Sequence, residues 1–213
     1  MNDNLQHKGQ RRILVEGIIN KGIIDKSVLN ALLKIPRHFF LESAFEHMAY
    51  EDKALPIGEG QTISQPYTVA FQSQLLAINK GDKILEIGTG SGYQTCVLLE
   101  LGAKVYTIER KKELYIKAQQ LLSKMGYKAN FFYGDGYDGL PTYGPFDKIL
   151  ITAGATEIPP KLLSQIKLNG ILVAPIGSPS VQIMNKLVKV SENKFQSSTH
   201  NSFVFVPLLP GKD

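Results

Sequence analysis

Apolar positions recur along this chain with two different rhythms, and the change falls near Lys83. Before it, Ile13, Leu14, Ile18 and Ile19, then Val28, Leu29, Leu32 and Leu33, fall at helical spacing, which predicts helices between Arg11 and Leu33 separated at Gly22. Asp25 stands where it can cap the second helix, and Pro36 in "IPRHFF" stops it in a turn. "GEGQTISQPYTVA", Gly58 to Ala70, reads as a loop, because Gly58, Gly60 and Pro66 restrict the backbone, and it leads into a helix starting near Tyr67. From Lys83 onward, short apolar runs alternate with helical patterns. "KILEIG", "KVYTIE", "ANFFYG", "DKILIT" and "GILVAPIG" read as strands; Tyr93 to Leu101, Lys111 to Met125 and Lys161 to Ile166 read as helices. "MNKLVKV" and "NSFVFVPL" have no helix between them and are expected to pair antiparallel. The pattern predicts an α/β fold: a mostly parallel, doubly wound sheet with antiparallel C-terminal strands and an N-terminal helical extension.

Composition narrows this only a little. At 213 residues and 43% hydrophobic content, one compact unit is expected, with residues 1–80 as the helical extension and 81–213 as the core. Apolar runs such as "ILVAPI" are too short to span a membrane, and the first twenty residues are polar and charged, unlike a signal peptide, so a cytoplasmic protein without a membrane partner is expected. The single cysteine, Cys96, lies in an apolar helical pattern and reads as a buried thiol. Residues 1–40 hold seven Lys/Arg against three Asp/Glu, or +4, while the other 173 hold seventeen against sixteen, or +1. These charges are spread over several turns with no aromatic stripe for stacking bases, so a solvated helical face is favoured over nucleic-acid binding.

Candidate chemistry begins at "LEIGTGSGYQT". Glycines at 88, 90 and 92 end a strand and open a helix, which lets a ligand approach main-chain amides. A dinucleotide fingerprint would need its third glycine at 93, where this chain has Tyr93, and no Walker loop follows. Twenty-one residues beyond Gly88, Glu109 ends the next strand, where a carboxylate can accept from both hydroxyls of a ribose. In "GDG", Asp135 lies where an adenine amino group could donate to it, and a plain turn explains the same residues. Three such features at the ends of three successive strands favour a nucleoside ligand.

Several segments resemble the protein-L-isoaspartate O-methyltransferase family within the Rossmann-like methyltransferases: "PR" at 36–37, "AYEDKALPIGEGQTISQP", "LEIGTGSGYQT", "IER", "GDG", "PFDKILITAGA", "LLSQIKLNGILVAPIG" and "FVPL". The resemblance implies S-adenosylmethionine as cofactor and S-adenosylhomocysteine as product. It implies binding by Thr62, Ile63, Glu86, Gly88, Thr89, Gly90, Ser91, Gly92, Glu109, Arg110, Asp135 and Gly136, with no metal. It implies Ser64 at the acceptor, Val206, Pro207 and Leu208 along the substrate, and isoaspartyl-bearing proteins and peptides as partners. The chain departs from the family pattern at Tyr67, where a His is common, at Gly154 within an alanine run, and at Leu168 and Asn169, where Pro and Gly are usual.

This chemistry suits the residue types. A carboxylic acid is already ionised at neutral pH, so the absence of His, Cys or carboxylate from Gln61 to Ala70 matches a reaction that needs no general base. Ser64 has a second reading, as a cap for the helix near Tyr67. Alternatives for the whole chain are an S-adenosylmethionine enzyme acting on RNA, disfavoured because "TAGATEIPP" stands where an "NPPY"-type element would be needed, and a nucleoside-binding regulator without catalysis.

Overall fold

The computed structural model describes residues 2–213. Helices α1 (Leu5–Asn20) and α2 (Lys26–Lys34) come first. Each is capped by a short polar side chain: Asn4 accepts from the His7 amide, and Asp25 from those of Ser27 and Val28. A hairpin of β1 (Leu55–Gly58) and β2 (Gln61–Ile63) follows, then α3 (Pro66–Leu76). The core continues as β3 (Lys83–Ile87), α4 (Tyr93–Glu100), β4 (Lys104–Glu109), α5 (Lys112–Lys124), β5 (Asn130–Tyr133), β6 (Phe146–Ile151), α6 (Pro160–Ser164), β7 (Ile166–Ser178), β8 (Val181–Ser191) and β9 (Lys194–Phe203). The seven-stranded sheet runs β5-β4-β3-β6-β7-β8-β9; the first five strands are parallel, and β8 and β9 add antiparallel. The expected α/β architecture is present.

Alternate residues of the parallel strands feed opposite faces. On one face Ile84, Val105, Leu150 and Val173 pack with Leu76 and Leu98 from α3 and α4. On the other, Leu85, Ile87, Ile149 and Ile151 pack with Leu162 of the short α6. The N-terminal helices share a third cluster with the core, in which Leu14, Ile18, Val28 and Leu32 lie with Tyr93, Cys96, Leu114 and Leu122. Cys96 is buried and unpaired, and burial raises its thiol well above the ordinary value.

Two expectations change. The segment Gly58 to Ile63 is a tight hairpin, with Leu55 opposite Ile63 and positive φ at both Glu59 (52°) and Gly60 (67°), the arrangement that suits a two-residue turn. The partner of β8 is the polar run Lys194–Phe203, and only Asn201–Phe203 of "NSFVFVPL" belongs to it. Gln196, Ser197, Ser198 and Thr199 carry no apolar alternation, so this strand has no hydrophobic signal. Beyond Phe203 the chain leaves the sheet: Phe205 N–H donates to buried Gln182, and Val206 to Leu208 run beside Gly154.

The family departures also have local reasons. A Cβ at Gly154 would meet the Gln182 side chain at 2.9–3.2 Å, so glycine there makes room for the glutamine. Asn169 takes a left-handed φ of 62°, which asparagine tolerates better than most residues.

Candidate functional site

Parallel strands bring their following loops to one edge of the sheet, and the ligand crevice of such folds lies there. A cavity at this edge has walls from Thr62, Ile63 and Ser64, from Gly88–Ser91, from Glu109 and Arg110, from Gly136, and from Val206–Leu208. The Gly88 backbone has φ +97°, and a Cβ on it would lie 2.5 Å from Thr152 Oγ1. That hydroxyl bonds the carbonyls of Ile87 and Gly88 at 2.8 and 2.7 Å, so the strand end is pinned open. At Gly136 a Cβ would meet Ile87 Cγ2 at 2.4 Å. Glu109 is 5% exposed; its two oxygens accept from the amides of Gly90 (2.8 Å) and Lys111 (2.9 Å). Each oxygen accepts a single bond and keeps a second lone pair, and the residue lines the cavity, so it offers the two acceptors that a pair of ribose hydroxyls requires.

Three expected cofactor residues lie outside these walls. Glu86 is fully buried behind them; one oxygen accepts from Thr95 Oγ1 at 2.6 Å, the other has no protein partner, and burial pushes its pKa up to about 7. Gly92 begins α4 at φ +85°, where a Cβ would strike Leu122, so its glycine serves helix packing. The Asp135 carboxylate accepts one amide on each oxygen, from Tyr137 (2.8 Å) and Gly211 (2.6 Å), and does not line the cavity. Arg110 does line the cavity while its guanidinium holds the C-terminal segment, at Gly211 O and Asp213. Conversely, Tyr93, Gln94 and Thr152 line the cavity without having been singled out. Thr152 was findable by the rule that pointed to Glu109, since it closes the strand "ILIT" at the same edge.

A second, wider groove adjoins the first, walled by Lys21, Asp52, Gln65, Tyr67 and Ser202–Val206 among others. The two cavities share Thr62, Ser64, Thr152 and Val206. Ser64 is therefore at their junction, and its hydroxyl has no protein partner among the described residues. It does not cap α3. The N-cap residue is Gln65, which makes no cap bond, and Asp52 Oδ1 accepts the Tyr67 amide at 2.8 Å instead. Asp52 Oδ2 takes Lys21 at 2.6 Å and Gln65 at 3.1 Å, so both oxygens of this carboxylate help to hold the groove wall. Tyr67 faces the groove, its ring stacked on Phe203 (6.2 Å, 22°) and its hydroxyl bonded by Asn201. Gly154 holds the opposite wall through Val206 O (2.8 Å) and Leu208 N (2.7 Å).

The model of the family described as protein-L-isoaspartate(D-aspartate) O-methyltransferase matches residues 9–213. The chain belongs to that family. A Christiangramia forsetii protein-L-isoaspartate O-methyltransferase is 55% identical over the full length of both chains. A Dictyoglomus thermophilum relative of the same name is 44% identical, covering 97% of this chain and 94% of its own. A Plasmodium falciparum chain assigned the same activity and solved with S-adenosyl-L-homocysteine superposes with a TM-score of 0.81 at 25% identity, covering 95% and 98%. This protein-L-isoaspartate O-methyltransferase family member is thus an S-adenosylmethionine-dependent enzyme acting on isoaspartyl proteins. The lining fits that cofactor: a two-acceptor carboxylate at Glu109, and main chain of the glycine loop, Gly88 and Gly90, exposed in the cavity wall.

Proposed function

We propose that methyl transfer takes place where the two cavities meet, with Glu109 holding the cofactor ribose and Ser64 orienting the acceptor carboxylate. The single observation that supports this is the shared wall of Thr62, Ser64, Thr152 and Val206, with a partner-free hydroxyl at its centre. The bound cofactor supplies an electrophilic methyl on a sulfonium. Ser64 Oγ–H donates to one carboxylate oxygen and leaves the other free to attack, without a cation that would hold the nucleophile too tightly. Charge is lost on the way to the transition state, so the apolar wall of Ile63, Val69 and Tyr93 helps by keeping water out. No proton has to move, and the one carboxylate of the groove, Asp52, is already occupied.

Recognition of an isoaspartyl linkage must read a displaced backbone and tolerate different side chains. Val206 C=O and Leu208 N–H are spent on Gly154, Leu208 C=O accepts from Tyr137 Oη, and Pro207 has no N–H, so the carbonyl this segment leaves for a bound chain's amide is that of Pro207. The test incubates the enzyme with labelled S-adenosylmethionine and paired peptides carrying aspartyl or isoaspartyl at one position, with transfer RNA as a third acceptor. Base-labile label on the isoaspartyl peptide alone is expected. Comparable label on the aspartyl peptide or on RNA overturns the assignment of this groove.

A further inference from the structure

Arg37 is among the largest fully buried side chains, at 1% exposure, and no carboxylate lies within 4 Å of it among the described residues. Its guanidinium is instead divided among three backbone carbonyls from two stretches: Ala49 O at 2.6 Å and Lys53 O at 3.0 Å in the segment ahead of β1, and Ser64 O at 3.2 Å after β2. Its Nε is buried without a partner, and the guanidinium carbon stands 5.9 Å from the centre of the Tyr93 ring, itself a wall of the cofactor cavity. Burying a cation with no carboxylate in contact is costly, even with Asp52 near enough to act on it through space, and a well-packed apolar side chain would serve stability at least as well. What an apolar side chain lacks is the rigid fork that fixes three carbonyls relative to one another. Two of those carbonyls flank or belong to the groove wall, and the third belongs to Ser64.

We infer that Arg37 is a positioning residue for methyl transfer, acting through the Ser64 carbonyl to set where the Ser64 hydroxyl meets the acceptor. It touches neither substrate nor cofactor. This inference rests on the role proposed above for Ser64. A lysine in its place offers three donors from one point and lacks the planar fork, so it cannot hold the three carbonyls in the same geometry. The loop bearing Ser64 then samples several positions while the cofactor cavity, held by Glu109 and Thr152, stays intact.

The experiment is a double-mutant cycle of Arg37→Lys and Ser64→Ala, with Arg37→Gln as a second replacement, assayed with an isoaspartyl peptide under saturating S-adenosylmethionine, which also favours the folded state. Expected are a ten- to hundredfold loss of kcat/KM in Arg37→Lys, S-adenosylhomocysteine affinity within about twofold of the parent, and little further loss when Ser64→Ala is already present. A purely structural arginine would lower Tm and leave kcat/KM of the folded variant at the parent value, which overturns the inference. Full additivity with Ser64→Ala also overturns it, whereas a parent enzyme that fails to select isoaspartyl peptide would instead overturn the reading of the groove. Should both replacements fail to fold, the parent chain labelled with 15N-arginine decides: the Arg37 side-chain resonance shifts on adding isoaspartyl peptide and not on adding aspartyl peptide. Equal responses to the two peptides overturn the inference.

Discussion

The two cavities are built by different kinds of contact. Around the cofactor cavity the partners are neighbours at one sheet edge: Glu109 with Gly90 and Lys111, Thr152 with Ile87 and Gly88. Around the acceptor groove, single side chains tie together connecting segments that lie outside the parallel ladder. Arg37 gathers carbonyls from two of them, Asp52 joins the end of α1 to the start of α3, and Gln182 reaches across to Phe205. The cofactor half is therefore a property of short motifs on a regular sheet, and the acceptor half is a property of the closed fold. A lesion in the first should affect ligand affinity, and one in the second should affect the position of the acceptor.

The largest separation is expected at Ser64. Replacing it with Ala should lower turnover roughly ten- to thousandfold, about 1.4 to 4 kcal/mol of barrier, and leave cofactor affinity unchanged. Because Asp52 and not Ser64 satisfies the Tyr67 amide, Tm should also stay close to that of the parent. A destabilised but fully active Ser64→Ala enzyme would remove the serine from the site.

Glu109→Ala probes the other half. Losing the hydrogen bonds of a carboxylate to ribose hydroxyls should weaken S-adenosylhomocysteine binding by roughly 1.5 to 3 kcal/mol. The amides of Gly90 and Lys111 lose their acceptor as well, so Glu109→Gln, which keeps one acceptor oxygen, should recover part of the loss. Calorimetry giving parental affinity in a folded Glu109→Ala variant would exclude the ribose role.

The same contrast explains what the sequence revealed. The parallel strands, their helices and the glycine loop follow from local apolar rhythm and from the rule that ligands gather at the carboxyl edge, so Gly88, Gly90 and Glu109 could be picked out one by one. Glu86, Gly92 and Asp135 belong to the same motifs, yet none of them lines the cavity, and a motif does not tell a wall residue from one beside or behind the wall. The strand Lys194–Phe203 was invisible because every residue between Phe195 and Phe203 is polar, on both faces of an edge strand. Arg37 and Asp52 stood inside segments that resembled the family, but their partners lie in other stretches of chain, and nothing local names those partners.

Asp52 offers a smaller effect that still sorts the two halves. Its replacement by Ala removes the cap on the Tyr67 amide and the bonds from Lys21 and Gln65, which should cost about 1 to 2 kcal/mol of stability. The acceptor KM should rise while cofactor affinity holds. Asp52→Asn keeps an oxygen for the cap, so its Tm should return most of the way toward the parent value in thermal unfolding, and its failure to do so would assign the loss to the Lys21 ion pair.

The smallest effect expected lies under the acceptor half, where the N-terminal segment is anchored by titratable groups. His38 is 6% exposed; its ring nitrogens contact Tyr50 Oη (2.7 Å) and Asn2 O (3.1 Å), and the His7 ring centre lies 3.8 Å from its own with the planes tilted by 34°. Asp3, Arg11 and Glu46 complete the charged surroundings. Burial, with His7 adding to it, pulls the His38 pKa below its ordinary value of about 6.5, so as pH falls through that value the unfolded chain takes up a proton that the folded chain refuses, and stability declines. For Asp3, burial alone would raise the pKa, but the hydrogen bonds and charge of Arg11 outweigh it and lower it, so its contribution is held above about pH 4 and lost below. Glu86, raised to about 7 by burial, tilts the opposite way: its contribution is greatest below its ordinary range and declines as pH rises toward 7. A global Tm mixes these slopes, so the measurement has to be local. Between pH 7.5 and 5.5, amides of α1 should lose less than about 1 kcal/mol of protection against hydrogen exchange, after correction for the intrinsic rate, while those of β3 should not. His38→Gln should flatten the change in α1. Equal behaviour of α1 and β3 in the parent would mean that the histidine does not anchor the N-terminal segment on its own.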